Sequence, residues 1–286
     1  MKPQFIIGVG SQRAGSTLLH RLLETSSEIY MHPIKELHYF DTLFNVRKET
    51  VLHKFSLNQL NHEIERLVKA KNFAFMNKRY KNALRANFLL ATKKVQQIDY
   101  VDLFRPCIQG HQLLGEITPE YMILPPIGIR KMRELTGNSK IILIARNPVK
   151  RFVSAFKLLT HGTALTHSQF EQELLKTLQH GGEWLAVQDA LNDYETALFH
   201  YRQEFSQVLF ISHDELIGSI ETATKLSQFL GVELSLNTYQ KTLSHKINAL
   251  DETKDLSPET LHLLKNRYLK QQVYLDHIFG HNHCVA

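Results

Sequence analysis

The sequence predicts an α/β fold: a doubly wound, mainly parallel sheet flanked by helices, with a helical insertion. Short apolar runs that end in glycine or in a polar residue are typical of buried parallel strands. Between them, leucines and isoleucines recur at helical spacing, and this alternation favours a parallel sheet. The chain has 286 residues, 43% hydrophobic and 22% charged, without repeats or low-complexity segments. We therefore predict a single domain over residues 1–286.

The first part of the chain alternates between short apolar runs and helical spacing. The predicted elements are a strand over 5–10, a helix from Gly15 or Ser16, a strand over 28–31, and helices over 56–70 and 72–95. The last two helices interrupt the strand–helix alternation. We interpret the segment that holds them, residues 43–110, as a helical insertion.

Regular alternation returns after the insertion. The predicted strands cover 113–116, 140–145 and 207–211, and the predicted helices cover 127–135, a stretch from Pro148, 167–180, 184–204, 221–230 and 258–279. Proline is favoured in the first turn of a helix, and Gly137 and Gly231 stand where helices end. These elements complete a sheet with helices on both faces.

The positive charge of the chain is concentrated in the insertion. The formal net charge is +6, yet residues 43–110 hold 13 Lys and Arg against 5 Asp and Glu, and the remainder holds 21 against 23. This imbalance indicates either a solvated helical face or a basic surface that attracts an anionic ligand, substrate or membrane. No recognised nucleic-acid module accompanies the charge, so we do not expect a nucleic-acid partner.

Composition also excludes several classes of protein. No run approaches 18 apolar residues, so we expect no transmembrane helix, and the first residues do not have the pattern of a signal peptide. The two cysteines, Cys107 and Cys284, lie far apart and lack metal-ligand spacing. Neither a disulfide framework nor a zinc ribbon is expected, and a reducing cytoplasm is the default compartment.

The first strand, the glycine-rich loop and the first helix together predict an anion-binding cradle. Backbone amides and the positive end of a helix dipole face such a loop. A nucleotide triphosphatase would have lysine where Ser16 stands, and it would end a later strand with aspartate to hold magnesium. Here the basic residue of the loop is Arg13, and the strand over 140–145 is followed by Arg146. The pattern predicts a ligand with two anionic groups and no metal.

Five motifs in chain order carry a resemblance to a known family. They are Gln12–Thr17 (QRAGST), Lys35–Asp41 (KELHYFD), Gly115–Tyr121 (GEITPEY), Arg146–Ser154 (RNPVKRFVS), and Val208–Leu216 (VLFISHDEL) with Phe229–Gly231 (FLG). They resemble the sulfotransferases that use 3′-phosphoadenylyl sulfate (PAPS), in particular the heparan-type and bacterial branch. The resemblance spans about residues 4–280. It implies a P-loop-like fold and a bacterial protein of the cytoplasm.

The resemblance also implies the donor site, with PAPS as donor and 3′,5′-bisphosphoadenosine (PAP) as product. The residues matched to the 5′-phosphosulfate loop are Gln12, Arg13, Ala14, Gly15, Ser16, Thr17 and Leu18. Arg146 and Ser154 match the pair that binds the 3′-phosphate. Arginine presents a planar fork to phosphate oxygens, and serine adds a hydroxyl. No metal is required by this scheme.

The catalytic assignments follow from the same motifs. Sulfuryl transfer needs a base for the acceptor proton and a cation for the charge that develops on the leaving oxygen. Arg13 is the expected cation. Glu36 matches the glutamate that faces the acceptor hydroxyl in the family, and His38 is expected to share the proton or to orient the acceptor.

Several alternatives stay open at this stage. An NTP-dependent small-molecule kinase and a non-catalytic anion- or glycan-binding relative are the competing functions. Ile117 stands where some glycan enzymes have lysine, which argues against a heparan-like acceptor, and sugar, lipid and other small-molecule hydroxyls, or an amine, remain candidates. The sequence does not indicate the oligomeric state. We expect Arg151 to be a solvated helix charge, and Trp184, Tyr194 and Tyr201 to be core residues. We also note Lys246 and Asn248 as nucleotide contacts.

Overall fold

The described residues form a five-stranded sheet in which every neighbouring pair of strands is parallel, in the order β2-β3-β1-β4-β5. The computed structural model describes residues 3–105, 107–108, 113–163, 165–218, 221–244 and 256–280. The strands are β1 (Gln4–Gly10), β2 (Ile29–Met31), β3 (Leu113–Ile117), β4 (Lys140–Ala145) and β5 (Val208–Ser212). Each lies within a residue or two of its predicted bounds.

Helices cover both faces of the sheet, which confirms the predicted doubly wound α/β class. They are α1 (Ser16–Leu23), α2 (Tyr39–Leu43), α3 (Glu49–Lys69), α4 (Lys78–Thr92), α5 (Pro126–Thr136), α6 (Pro148–Leu159), α7 (His167–His180), α8 (Glu183–Ala190), α9 (Tyr194–Glu204), α10 (His213–Gly218), α11 (Glu221–Leu230), α12 (Leu236–Ser244), α13 (Pro258–Arg267) and α14 (Leu269–Phe279). Short 3₁₀ helices cover Val95–Gln97, Tyr100–Phe104 and Pro119–Ile123.

Two predicted helices are each divided in two. The helix expected over 184–204 breaks before Asp193, whose side chain accepts a hydrogen bond from the Thr196 amide and caps α9. The break is held by Asn192, which is buried and donates to the Pro148 carbonyl. The helix expected over 258–279 is interrupted at Tyr268, which is buried. Hydrophobic spacing is similar on both sides of each break, so periodicity does not reveal them.

Alternate residues of the central strands point to opposite faces, and each face has its own core. Ile7 and Ile141 pack in one core with residues of α5 and α9. Ile6 and Ile142 pack in the other with residues of α1 and α11. The chain places β2 and β3 on one side of β1, and β4 and β5 on the other. Ligands of such sheets bind where this order reverses, at the carboxyl ends of the strands, here at the end of β1.

The insertion lies beside the carboxyl end of β2. Its two long helices, α3 and α4, pack against each other, and α4 is fastened to β2 by two polar contacts. Arg79 donates to the Met31 carbonyl at 2.5 Å, and Asn82 donates to the Tyr30 hydroxyl at 3.0 Å. The insertion therefore forms a wall beside the residues that follow β2. Within the described ranges, no helix has the length and apolar content needed to cross a membrane.

Candidate functional site

The loop from β1 to α1 is built for close approach to an anion. Gly15 precedes α1 in the left-handed region with φ of 101°, and a Cβ there would lie 3.1 Å from the Leu216 side chain. Amides in the first turn of a helix have no acceptor within that helix. Ala14 and Leu18 are buried in the core, so these two can serve a ligand only through their amides. Ser16 is also buried, whereas Thr17 is half-buried.

The structure brings together the three residues that the sequence assigned to the two ends of the donor. Arg13 donates through Nε to Ser154 Oγ at 2.9 Å, and Arg146 donates through Nη1 to the Arg13 carbonyl at 2.7 Å. Ser154 is buried on α6, and Arg146 directly follows β4. Asn147 caps α6 by accepting from the Lys150 amide, which fixes the turn between Arg146 and the helix. Two guanidinium groups and a hydroxyl thus converge beside the loop.

Tyr194 holds the backbone of Arg146 in this arrangement. Its hydroxyl accepts from the Arg146 amide at 3.2 Å and donates to the Arg146 carbonyl at 3.1 Å. Tyr194 is otherwise buried, as is Tyr201, so the expectation that both belong to the core is confirmed. Trp184 is partly buried and packs on Phe152, with ring centroids 5.7 Å apart.

A second group of polar residues lies on the segment after β2. His38 Nδ1 is 2.7 Å from Asp41 Oδ2, and its Nε2 is 3.5 Å from Glu36 Oε2. Although burial opposes the charged imidazolium, hydrogen bonds with Asp41 and Glu36 raise the pKa of His38 to about 9. A pKa of about 9 favours a positively charged His38 at neutral pH, with carboxylates as its hydrogen-bond partners.

Glu36 is held as a carboxylate. Its Oε1 accepts from Lys35 Nζ at 2.8 Å. Burial alone would raise its pKa, but the hydrogen bond with His38 and the charge of Lys35 outweigh it and lower the pKa of Glu36 to about 2. Glu36 and His38, which the sequence placed together, thus meet in space and stabilise each other's charged forms.

Glu120 joins this group to the loop between β1 and α1. It follows β3, and its Oε1 accepts from Gln12 Nε2 at 3.2 Å. Its Oε2 lies 4.0 Å from His38 Nδ1. Sequence reasoning assigned no role to Glu120 or to Asp41, although both stand inside quoted motifs. The parallel register gives a signal in retrospect, because β1 and β3 are neighbours and their carboxyl ends meet at one edge.

A cavity of about 510 Å³ opens between this group and the insertion, and its size suits a small ligand. It is lined by Pro33, Ile34, Lys35, Glu36, His38, Arg47, Phe55, Gln59, Glu63, Tyr80, Ala83, Asn87 and Glu120. Six of these thirteen residues lie on α3 and α4. One ligand atom each from Glu36, His38 and Glu120 lies within 4.8 Å of the others. The Lys35 ammonium already supplies a cation to Glu36, so we place no metal there.

Comparison with known proteins agrees with this geometry. A model of the sulfotransferase family matches residues 3–235, most of the chain. The chain belongs to the sulfotransferase family. The predicted resemblance is therefore confirmed at the level of the family and the fold. A search of curated protein sequences gives no significant match.

Solved structures of sulfotransferases share the fold. A sulfotransferase from Alicyclobacillus acidocaldarius is 19% identical, with a TM-score of 0.60, over 100% of this chain and 98% of the other. The sulfotransferase STF9 from Mycobacterium avium is 14% identical, with a TM-score of 0.51, and the match covers 100% of this chain and 79% of the other. Mouse sulfotransferase SULT7A1, solved with PAP, is 13% identical, with a TM-score of 0.51, and the match covers 96% of this chain and 86% of the other.

The expectation that Arg151 is a solvated charge is wrong. Its side chain is completely buried in this sulfotransferase. It donates to the Asn192 side chain, to Gln188 Oε1 at 2.9 Å and to the Gln188 carbonyl at 3.0 Å. Helical spacing predicts which face Arg151 occupies, but not that α8 and the turn after it close over that face. Lys246, Asn248 and Cys284 lie outside the described residues.

Replacing Arg151 with alanine should reduce stability strongly. The change leaves Gln188 and Asn192 buried without their charged donor, so we expect the free energy of unfolding to fall by about 3 kcal/mol. Arg130→Ala is the matched control, because Arg130 is exposed and its ion pair with Glu204 contributes at most about 1 kcal/mol. Urea unfolding of both variants measures the difference. Equal losses would contradict the assigned role of Arg151.

A buried carboxyl group, Glu116, is linked by hydrogen bonds to the segment that carries His38. It accepts from the hydroxyls of Tyr100 at 2.8 Å, Tyr121 at 2.9 Å and Thr118 at 2.8 Å. Tyr121 in turn accepts from the Tyr39 amide at 3.0 Å, directly after His38. Burial, partly opposed by these hydrogen bonds, raises the pKa of Glu116 to about 7. The network fixes the start of α2, and with it His38.

The raised pKa of Glu116 predicts a pH dependence of stability. Its stabilising contribution is complete below the ordinary value of 4.5 and is lost as pH rises through about 7. In Glu116→Gln this loss should disappear. We expect the free energy of unfolding of the wild type to fall relative to the variant between pH 5 and pH 8, as measured by urea unfolding. Parallel pH profiles for the two proteins would contradict the shift.

Proposed function

We propose that this sulfotransferase moves a sulfuryl group from PAPS to a hydroxyl, or an amine, of a carbohydrate, lipid or small-molecule acceptor. The observation that carries the proposal is the convergence of Arg13, Arg146 and Ser154 beside the loop before α1, next to the cluster around His38. A site with two cationic groups and a carboxylate cluster fits a donor with two anionic ends and an acceptor that must lose a proton. The PAP in the mouse relative supports the choice of donor.

In this proposal, different residues bind the two anionic ends of the donor. The amides from Ala14 to Leu18 and the Gln12 and Thr17 side chains would hold the 5′-phosphosulfate. Arg146 and Ser154 would bind the 3′-phosphate. Since Arg13 already contacts Ser154, its guanidinium is within reach of both ends of the donor. PAPS would supply the sulfur electrophile, and no metal is part of the scheme.

The transfer step balances as a direct displacement. The acceptor oxygen forms a bond to sulfur as its O–H bond breaks. The bond between sulfur and the bridging oxygen breaks, and that oxygen leaves on PAP with the electron pair. Arg13 stabilises the charge that grows on it, an interaction that strengthens towards the transition state. The proton goes to a carboxylate of the cluster, where Glu36 is the residue named by the motif and His38 its partner.

The acceptor would enter through the cavity beside the insertion. The wall there presents aromatic side chains, Phe55 and Tyr80, together with the cations Lys35 and Arg47. This lining favours a hydroxylated acceptor that can also carry an anionic group. The motifs of the bacterial branch and the buried Cys107 thiol favour a bacterial protein of a reducing cytoplasm.

Sulfate transfer from labelled donor to a panel of acceptors tests the proposal. We expect a glycoside, a phenol or a hydroxylated lipid in the panel to gain the label without added divalent metal and in the presence of EDTA. Transfer of phosphate from ATP, dependent on magnesium, would instead indicate the kinase. The absence of both would favour a binding protein. The kinase has no specific support in this site, because Ser16 and Arg146 occupy the positions of its lysine and aspartate.

A further inference from the structure

Arg47 lines the cavity beside the insertion, and its side chain has no partner among the described residues. The other four arginines of the insertion each lie at most 4.0 Å from a carboxylate: Arg66 from Glu63, Arg79 from Glu24, and Arg85 and Arg105 from Asp102. Arg47 is half-buried, and its Nε is enclosed without a hydrogen-bond acceptor. An enclosed charged group without a partner is costly. This guanidinium is therefore available for an anion that enters the cavity.

The fold holds Arg47 at a fixed position relative to His38. Asn45, with φ of 58°, forms the turn after α2, and asparagine tolerates this left-handed conformation. The amides of Val46 and Arg47 then donate to the Asp41 carbonyl at 2.8 Å and 3.1 Å. The carboxylate of the same Asp41 lies 2.7 Å from His38 Nδ1. One buried residue thus fixes both the backbone of Arg47 and the imidazole of His38.

The carboxylates that line the cavity are already engaged by other residues. Glu36 accepts from Lys35, Glu63 accepts from the Tyr80 hydroxyl, and Glu120 accepts from Gln12. Glu63 also lies 3.6 Å from Arg66, outside the cavity lining. None of these carboxylates forms an ion pair with Arg47 among the described residues. The positive charge of Arg47 is therefore the one that the cavity wall leaves without a counter-charge within that part of the chain.

Aromatic side chains from both helices of the insertion contribute to the same cavity. Phe55 of α3 is 44% exposed although it is a large apolar residue, and Tyr80 of α4 lines the cavity with it. Aromatic walls bind ligands through a large apolar contact area, and a few polar groups then fix the ligand's orientation. This lining favours an acceptor that contains a ring.

Resting on the proposed function, we propose that Arg47 binds an anionic group of the acceptor and so selects small, ring-containing hydroxy acids. A guanidinium presents a planar fork that matches the oxygens of a carboxylate or a phosphate. Because Nε is enclosed, the two terminal nitrogens make this contact. The ring packs against Phe55 and Tyr80, and the hydroxyl end of the acceptor lies beside His38.

Calorimetry with matched probes, on the full chain with and without PAP, tests the assignment. The first set is 4-hydroxyphenylacetate, 4-hydroxybenzylphosphonate and the neutral 4-hydroxyphenylacetamide. The second set is 4-nitrophenyl glucuronide and the corresponding glucuronamide. In at least one set we expect the wild type to bind an anion about 10–100-fold more tightly than the amide, the scale of one charged hydrogen-bond pair. The tighter of carboxylate and phosphonate identifies the anionic group.

Variants of Arg47 should change this preference in a graded way. Arg47→Gln should lower the affinity of the anion about 10–100-fold and that of the amide much less. Arg47→Lys keeps the charge without the fork, so its preference should lie between those of the wild type and the glutamine variant. Arg47→Glu should bind tyramine, which carries an ammonium group, more tightly than 4-hydroxyphenylacetate. Arg105→Gln is the matched control, because Arg105 is an exposed arginine of the insertion that pairs with Asp102.

The outcomes separate this inference from the proposed function. If the wild type prefers the anion in neither set, or if Arg47→Gln keeps the preference, Arg47 is not the anion-binding residue. If Arg105→Gln loses the preference to the same extent, the effect comes from the overall charge of the insertion, and the assignment to Arg47 is wrong. If the wild type binds no PAP, the proposed function fails. Binding of the acids that depends on Arg47 would then still support the anion site.

Discussion

Arg13→Ala should lower the rate of sulfuryl transfer about 10²–10³-fold, the usual cost of removing one group that stabilises developing oxygen charge. Donor affinity should fall much less, because the contact strengthens as the bridging oxygen gains its charge. Arg13 lies in the loop with φ of 65°, and its side chain donates to Ser154. Its guanidinium is thus held by the fold before any donor binds.

Arg13→Lys is the matched variant. Lysine keeps the charge but cannot bond both Ser154 and a leaving oxygen with one planar fork. We expect its rate to lie between those of the wild type and the alanine variant. Kinetics at saturating PAPS, compared with calorimetric PAP affinity, make the distinction. A raised KM for the donor with an unchanged kcat would make Arg13 a binding residue only.

Arg146→Ala should weaken PAP binding by about 2–3 kcal/mol, the scale of a charged hydrogen-bond pair. The loss has two sources: the contact to the 3′-phosphate and the bond from Nη1 to the Arg13 carbonyl, which holds the loop. Arg130→Ala, on an exposed face of α5, is the control and should bind PAP like the wild type. Calorimetry measures the PAP affinity of both variants.

A nucleotide without the 3′-phosphate provides a second test of the role of Arg146. Adenosine 5′-monophosphate lacks the 3′-phosphate, so its affinity should be weak in the wild type, and Arg146→Ala should lower it less than it lowers the affinity of PAP, because only the bond to the Arg13 carbonyl is lost. If a folded Arg146→Ala binds PAP as the wild type does, Arg146 does not contact the 3′-phosphate. If PAP and the monophosphate weaken equally, its part is to hold the loop.

Local patterns predicted most of the sheet, and they suggested the residues that we propose bind the donor. Apolar runs give β1, β4 and β5 because parallel strands are buried on both faces, and the loop chemistry around Arg13 is continuous in sequence. Contacts between distant segments could not be predicted in this way. Arg13 meets Ser154 across 141 positions and Gln12 meets Glu120 across 108. Only the strand order brings them together.

The errors have physical causes of the same kind. The buried position of Arg151 depends on α8 and its following turn, and the breaks at Asp193 and Tyr268 depend on capping and packing and not on hydrophobic period. Glu36 and Glu120 both line the cavity, but their hydrogen-bond partners differ. Residue identity could suggest a carboxylate base, but it does not show that Glu36 accepts from Lys35 and Glu120 accepts from Gln12.

Calorimetry of the full chain with PAP, and with ATP and magnesium, tests the central claim most directly. The claim is that the loop before α1, with Arg146 and Ser154, binds a PAPS-type nucleotide without metal. We predict that PAP binds tightly in buffer with EDTA and that added magnesium leaves its affinity unchanged. ATP with magnesium should bind at least tenfold more weakly, because it has no 3′-phosphate. Metal-dependent binding of ATP that is tighter than that of PAP would contradict the claim.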